Sequence, residues 1–157
     1  MRLWRLSNAE DAHRFDGGYG LYHDGRWNTR GHLVTYCATG PALCVLEKLV
    51  HVEDPALLPD GTTLVCYEVP DELATDEVRT DQLPVNWRSN QPATQRIGDE
   101  WLHGAGGCLL RVPSVIVPIA ESGDRNFLIN HRHEAVTRIY ISYTRMFEYD
   151  PRLFTFG

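Results

Sequence analysis

The sequence predicts a single α+β domain in which helices flank a mixed or largely antiparallel sheet. Segments with strand character outnumber segments with helical periodicity, and the two kinds do not alternate regularly along the chain. No Gly-x-Gly-x-x-Gly follows a predicted strand, which disfavours a doubly wound dinucleotide-binding fold. A chain of 157 residues is long enough for one hydrophobic core and short for two, so we expect one domain over residues 1–157.

Seven segments have strand character, each short and rich in β-branched, aromatic or alternating apolar residues. In chain order they are Leu3 to Leu6, Leu33 to Cys37, Leu64 to Val69, Leu109 to Val112, Val115 to Ile119, Phe127 to Ile129 and Arg138 to Tyr143. Pro113 and Pro118 force breaks or edge positions around the fifth segment, because proline donates no ladder hydrogen bond. The glycine-rich stretch up to Gly31 and residues 80–92 are predicted to be long loops.

Two helices are predicted, and the first has the clearer pattern. Gly40-Pro41 places proline at a helix start, and apolar residues follow with helical spacing. This helix should end near His51, before Asp54-Pro55. The second helix begins at Pro92 and is ended by the glycines from Gly104 onward.

Charge and hydropathy disfavour two classes of partner. The net charge of −6 provides no broad basic surface, so extended binding to nucleic-acid backbones is disfavoured, whereas a small anion in a local basic pocket is compatible with it. The longest apolar runs, such as Val115 to Val117, are far too short to span a bilayer. The N-terminal Met-Arg-Leu-Trp-Arg-Leu lacks the hydrophobic stretch of a signal peptide. The sequence therefore predicts a cytoplasmic protein that binds neither membrane nor nucleic acid directly.

Neither the cysteines nor the histidines form a metal-binding motif. The cysteines are Cys37, Cys44, Cys66 and Cys108, spaced by 7, 22 and 42 residues. Without a Cys-x-x-Cys pair, we expect them to be reduced and mostly buried. His131 and His133 would share a face if they lay on a strand, but no third ligand of obvious spacing accompanies them. No metal is therefore predicted.

Residues 20–31, GLYHDGRWNTRG, come close to the pattern of a phosphate-binding loop. Gly20, four residues, Gly25 and the cation Arg26 follow its spacing, but Trp27 replaces the hydroxyl residue that would hold magnesium. No apolar strand runs into Gly20, so a nucleotide triphosphatase is excluded. Arg26 can still contact phosphate or carboxylate oxygens in a two-pronged geometry, and the Trp27 ring offers a stacking face. The alternative is a glycine-rich turn with an exposed arginine.

Five further polar residues are candidates, and each has a structural alternative. Glu47 lies at the border of the first helix's apolar arc, where its carboxylate either reaches a cleft or is solvated. Tyr36 precedes the end of a strand and can be core packing with a satisfied hydroxyl. Ser114 either faces a ligand or satisfies a nearby backbone group, and no Gly-x-Ser-x-Gly turn surrounds it. Asn126 and Asn130 flank an apolar triplet, where amides cap turns or bind ribose hydroxyls.

As an ordered set, these segments resemble the RES-domain family. The family pattern is a glycine-flanked Arg-Trp-Asn, a strand ending in Tyr-x-Ala, a helix carrying Glu, a Val-Pro-Ser segment and an Asn-rich strand. The matching segments here are GRWN, VTYCATGPALCVLEKLVH, LLRVPSVIVP and NFLIN. They map the pattern onto Arg26, Tyr36, Glu47, Ser114 and Asn126.

The resemblance covers nearly the whole chain and has one departure. It extends from Trp4-Arg5 through Trp101-Leu102 to Asp150-Pro151-Arg152-Leu153. After Asn130 the family usually has proline, whereas this chain has His131. Histidine relaxes the backbone and adds an N–H donor, so the role of Asn130 carries over less directly than that of Asn126.

The resemblance implies an ADP-ribosyltransferase-like fold and a bacterial toxin that cleaves NAD+ at the nicotinamide–ribose bond, with NAD+ as substrate and no further cofactor. A carboxylate would stabilise the positive charge that develops on the sugar. The implied catalytic residues are Arg26, Tyr36 and Glu47. The implied NAD+-binding residues are Arg5, Arg26, Trp27, Ser114, Asn126 and Asn130. The acceptor of ADP-ribose is left open among water, phosphate and a protein side chain.

The resemblance also implies partners and leaves two other functions open. The expected partner is a cognate antitoxin with a helix-turn-helix domain, and we expect a homodimer within the complex. A ribonuclease toxin would also stop growth, but it should expose a basic groove that this acidic composition does not favour. A non-catalytic binding module is the second alternative.

Overall fold

A seven-stranded sheet forms the centre of the protein in the computed structural model, which describes residues 1–52, 61–104 and 106–154. The strands are β1 (Arg2–Asn8), β2 (Val34–Ala38), β3 (Thr62–Glu68), β4 (Thr75–Glu77), β5 (Leu109–Val112), β6 (Asn126–Asn130) and β7 (Tyr140–Met146). Their order across the sheet is β4-β5-β6-β2-β1-β3-β7. Neighbours are antiparallel except β4 and β5, which are parallel. The predicted α+β class with a mixed sheet is therefore confirmed.

Among the described residues, three α-helices accompany the sheet: α1 (Tyr19–Tyr22), α2 (Pro41–Leu49) and α3 (Gln91–His103). The short helix α1 lies in the glycine-rich stretch that was predicted to be a loop, so that prediction is wrong for these four residues. The start of α2 agrees with the prediction, since Pro41 occupies the first turn, where no N–H partner is needed. Its last residue, Leu49, lies close to the predicted end, and Asp54-Pro55 falls outside the described residues. The side chain of Asn90 caps α3 by accepting from the N–H of Ala93, and Gly104 follows its last residue. None of the helices in the described ranges is long and apolar enough to cross a membrane.

The strand predicted from Val115 to Ile119 is wrong. The Ser114 hydroxyl oxygen accepts hydrogen bonds from the N–H groups of Ile116 and Val117, each with an N···O distance of 3.0 Å. The backbone therefore turns at this point. Such side-chain bonds offer the backbone an alternative to a strand ladder, and the flanking prolines cannot donate to one.

Further differences between prediction and structure concern short segments of the chain. The three-residue strand β4 was not expected, because its sequence Thr-Asp-Glu is polar and its extended form comes from pairing with β5. The last strand begins at Tyr140 rather than Arg138, since Glu134–Arg138 form a 3-10 helix. His131 and His133 lie in the connection after β6 and not on a strand, so the condition under which they would share a face is not met.

The two faces of the sheet are covered by different parts of the chain. On one face α2 packs on β1 and β2, and α3 packs beside it. Residues of this face include Trp4, Leu6, Val34, Ala38, Leu43, Leu102, Val112 and Leu128. The opposite face packs against residues near Ala12, Leu73 and Val136. All four cysteines are unpaired and buried, as predicted.

Candidate active site

The carboxylate of Glu47 lies in a hydrogen-bonded cluster at the edge of α2. The Ser114 hydroxyl donates to Oε1 of Glu47 over 2.8 Å, and the Asn126 amide donates to the same oxygen over 2.5 Å. Ser114 is fully buried, whereas Glu47 and Asn126 are half-buried. One carboxylate oxygen is thus fixed by two donors at the margin of the core.

Strand register brings these three residues together. Asn126 at the start of β6 lies opposite Ala38 on β2 and opposite Val112 on β5. The chain leaves β2 directly into α2, which carries Glu47, and it leaves β5 at Val112, two residues before Ser114. Both connections therefore end beside Asn126, on the face that α2 covers.

The orientation of the Ser114 hydroxyl is determined by its neighbours. A serine oxygen has one proton to donate and two lone pairs to accept. The N–H groups of Ile116 and Val117 use both lone pairs, so the proton is directed to Glu47. Ser114 therefore satisfies nearby backbone groups, which is one of the two roles considered for it from the sequence. It also donates a hydrogen bond to Glu47.

Arg26 is partly buried and lies in the connection between α1 and β2. One guanidinium nitrogen, Nη2, donates to the carbonyl of Trp87, and the group lies 5.8 Å from the centre of the Trp87 ring. Burial lowers the pKa of Arg26, and the negative charge of Glu47 opposes that shift. Since the ordinary pKa is 12.5, Arg26 keeps its charge at neutral pH. The site thus contains a cation and an anion that interact.

Tyr36 lies behind Arg26 and stabilises the adjoining backbone. Its hydroxyl donates to Oδ1 of Asn28 over 2.6 Å and accepts the N–H of Trp27 over 2.9 Å. Burial raises the pKa of Tyr36, so the group remains a neutral phenol. These two hydrogen bonds fix the positions of Trp27 and Asn28, the residues that follow Arg26.

Helix α3 contacts the same loop from the other side, a contact that was not predicted from the sequence. Side chains of Gln91, Thr94 and Gln95 donate to backbone carbonyls of residues 25–28, which we call the Arg26 loop. The carboxylate of Asp99 accepts both the N–H and the hydroxyl of Thr29, over 2.9 and 2.8 Å. The spacing of these residues along one helix face was the available signal.

Two residues that were expected to bind NAD+ lie away from the Glu47 cluster. The Trp27 side chain is only 1% exposed and packs in the core, with its ring centre 6.4 Å from that of Trp87. It therefore presents no exposed stacking face, because the apolar ring is buried against α3 and the sheet. Arg5 belongs to the opposite sheet face, where it donates to the carbonyls of Asp11 and Arg14 and lies over the Tyr67 ring.

Asn130 is a third such residue. It lies four positions beyond Asn126 on β6, which at the rise of a strand separates them by ~13 Å. Its side chain is buried and accepts the N–H of Arg132 over 2.9 Å, so it caps the turn that follows the strand. That is the turn-capping role which the sequence left open.

His131 uses the donor that proline would lack. Its N–H donates to the carbonyl of Leu33 over 3.1 Å, which extends the contact between β2 and β6. The ring Nε2 lies 2.9 Å from the Thr35 hydroxyl, and burial lowers the pKa of His131 to about 4. Within residues 1–52, 61–104 and 106–154, no three metal-ligating side chains come together.

The chain is similar to a known protein family over nearly its whole length. The family model of the RES domain matches residues 2–150. A protein named Toxin Res from Pseudomonas putida is 35% identical over 155 residues, which cover 98% of this chain and 100% of that protein. A Prs ADP-ribosylating toxin from Sphingobium sp. is 37% identical over 158 residues, covering 96% of this chain and 95% of that protein.

A solved structure has the same fold. The crystal structure of the M. tuberculosis MbcT–MbcA toxin–antitoxin complex contains a chain that aligns with a TM-score of 0.69 and 18% identity, covering 98% of this chain and 86% of that chain. At that identity the likeness concerns the fold alone. The family match over nearly the whole chain, together with the full-length relatives, shows that this chain belongs to the RES-domain family.

Proposed function

We propose that this protein is the toxin of a toxin–antitoxin pair and that it cleaves NAD+ at the nicotinamide–ribose bond. The observation that carries the proposal is the Glu47 carboxylate, fixed by Ser114 and Asn126 while remaining half-buried. The names of the relatives from Pseudomonas putida and Sphingobium sp. support it, since both are toxins and one is called ADP-ribosylating.

The carboxylate fits the charge that the reaction creates. Loss of nicotinamide leaves positive charge on the anomeric carbon of the ribose, and a preoriented anion stabilises it. Two donors fix Oε1 of Glu47, whereas none of the residues that the structure describes donates to Oε2. Oε2 is then the oxygen that faces the sugar or one of its hydroxyls.

Arg26 would bind the pyrophosphate of NAD+. A guanidinium has five N–H donors, of which the Trp87 carbonyl accepts one, so donors remain for phosphate oxygens. The contact with Trp87 restricts the rotation of the side chain, which reduces the entropy lost on binding.

The proposal includes partners and a cellular setting. NAD+ enters as substrate, without a further cofactor, in the cytoplasm. The partner is an antitoxin with a helix-turn-helix domain, and two toxin copies associate within the complex. The fold shared with a chain of a toxin–antitoxin complex supports the antitoxin. The acceptor of ADP-ribose is water, phosphate or a protein side chain, which mass spectrometry of the products with and without phosphate distinguishes.

Glu47→Gln tests the proposed chemistry. Glutamine keeps the size and part of the hydrogen bonding but removes the charge, so turnover should fall by about 10²–10³, or about 3–4 kcal/mol. Binding of NAD+ should stay within about tenfold, because a neutral hydrogen bond is worth about 1 kcal/mol. Calorimetry measures binding, and nicotinamide release measures turnover.

The matched control is Glu100→Gln, which removes an exposed glutamate from α3. It should bind and cleave NAD+ like the wild type. If Glu47→Gln also cleaves at the wild-type rate, Glu47 is a solvated helix residue and the catalytic assignment is wrong. Cellular NAD+ and RNA, measured in the same cells soon after induction, distinguish the alternatives: degraded RNA with normal NAD+ indicates a ribonuclease, and growth arrest with both intact indicates a binding module.

A further inference from the structure

The backbone carbonyls of the Arg26 loop accept hydrogen bonds from side chains of α3 and not from the backbone of a strand. The Thr94 hydroxyl donates to the carbonyl of Arg26 over 2.8 Å. The Gln95 amide donates to the carbonyl of Gly25 over 3.0 Å and to that of Asn28 over 3.3 Å. Gln91 donates to the Gly25 carbonyl as well, over 3.2 Å. Three of the four carbonyls of the loop therefore accept bonds from one helix.

The fourth carbonyl, that of Trp27, is accommodated by a glycine. A Cβ atom added at Gly98 would lie 1.7 Å from this oxygen, so no other residue fits without displacing the loop. Positions 91, 94, 95 and 98 recur on one side of a helix. This side of α3 thus has the shape and the donors that the loop backbone requires.

One peptide unit of the loop is bound at both ends. The carbonyl of Arg26 accepts from Thr94, and the N–H of the same peptide unit, which belongs to Trp27, donates to the Tyr36 hydroxyl. Thr94 comes from α3 and Tyr36 from β2, so the unit is held between the helix and the sheet. The preceding peptide unit is held as well, because the Gly25 carbonyl accepts from Gln91 and Gln95. With both peptide planes beside the Cα of Arg26 fixed, the direction in which its side chain leaves the backbone is fixed too.

From this geometry we infer that Thr94 and Gln95 are positioning residues that set the place of Arg26, an inference that rests on the proposed role of Arg26 as phosphate anchor. Neither residue needs to touch the substrate. Thr94 is fully buried, and its single hydroxyl proton is shared between the carbonyls of Arg26 and Gln91, the latter at 2.9 Å. Removing that hydroxyl frees the Arg26 carbonyl while leaving the core volume nearly unchanged.

Thr94→Val tests the inference, with Thr94→Ser as the conservative variant. Valine has the shape of threonine without the hydroxyl, so we expect KM for NAD+ to rise about five- to tenfold with kcat within about twofold. Serine restores the donor and should return KM to near the wild-type value. Gln95→Glu removes the amide donor at similar size and should raise KM in the same way, which provides a second variant if Thr94→Val does not fold.

The matched control is Thr35→Val, which removes a hydroxyl of similar burial, 3% exposed, on the opposite sheet face. Its KM should equal that of the wild type. In an Arg26→Ala background, Thr94→Val should cause no further loss, because a residue that acts through Arg26 has nothing left to position. Equal losses with and without Arg26 would overturn the inference.

A readout independent of NAD+ separates this inference from the proposed function. Hydrogen exchange of the Trp27 amide, followed by NMR, should speed up in Thr94→Val and Gln95→Glu but not in Thr35→Val. If the wild type fails to cleave NAD+, the proposed function is wrong, and the exchange data alone decide whether α3 fixes the loop. Unchanged exchange in both α3 variants would refute it.

Discussion

Replacing Ser114 by alanine should destabilise the protein more than any other single change in the Glu47 cluster. The Ser114 oxygen takes part in three hydrogen bonds: it accepts from the amides of Ile116 and Val117 and donates to Glu47. Alanine removes all three at a site with no solvent exposure, so water does not reach the vacated position from outside. Asn126→Ala removes one bond, that to Glu47, and Asn126 is half-buried.

The magnitudes follow from the number of partners. An amide or carboxylate that loses its partner in the interior costs about 1–3 kcal/mol, and the half-buried amides belong at the lower end. Three such losses at about 1 kcal/mol each lower the free energy of unfolding by about 3 kcal/mol. For a chain of this size, this reduces Tm by roughly 6–12 °C. Asn126→Ala should cost about 1 kcal/mol, or roughly 2–4 °C.

Differential scanning calorimetry of the wild type and both variants measures these shifts, and nicotinamide release below the lowest Tm measures turnover. Each variant removes one donor from Oε1 of Glu47, so turnover should fall to a similar extent in both while stability differs about threefold in free energy. A Ser114→Ala protein that melts within about 2 °C of the wild type would refute the three-bond description of this residue.

Two other predictions concern Arg26 and His131. Arg26→Lys keeps the charge but loses the planar guanidinium and the geometry of the Trp87 contact. Calorimetry should therefore show about tenfold weaker binding of NAD+, and activity should recover at high NAD+ concentration. Unchanged affinity would show that Arg26 does not bind the phosphates. The pKa of His131 in the folded protein, about 4, lies below the ordinary 6.5, so the unfolded chain binds more protons between these values. The corresponding stability is complete above pH 6.5 and is lost as pH falls towards 4, by on the order of 2–3 kcal/mol. Urea unfolding across this range should show the loss in the wild type, and His131→Gln should flatten it; the same slope in both would contradict the assignment to His131.

Local rules predicted the elements whose causes are local. The start of α2 follows from Pro41 at the first turn, and the end of α3 follows from Gly104. The segment after Pro113 failed because one buried side chain, Ser114, takes the N–H groups that a strand would have used. Strand β4 could not be predicted, since its polar residues are extended only because β5 lies beside them.

The contacts of the candidate site have mainly non-local causes. Glu47 lies 67 residues from Ser114 and 79 from Asn126 along the chain, so no window of sequence contains the cluster. The family pattern identifies the three residues of the cluster, but it does not show that they are in contact. That contact depends on the pairing of β6 with β2 and β5. For Trp27 the chemistry of the side chain suggested exposure, whereas the space between α3 and the sheet required a large apolar group.

The role of α3 shows what a sequence pattern of this kind can indicate. A glycine-rich loop that enters the interior has backbone carbonyls without strand partners, and buried backbone groups must be satisfied. Here the donors come from Gln91, Thr94 and Gln95, on a side of a helix that binary patterning would assign to solvent. Polar side chains along one side of a helix, together with a glycine on the same side such as Gly98, therefore indicate a helix that packs against the backbone of a loop. If Arg26 binds the substrate as proposed, α3, which holds the Arg26 loop in place, belongs to the site as well.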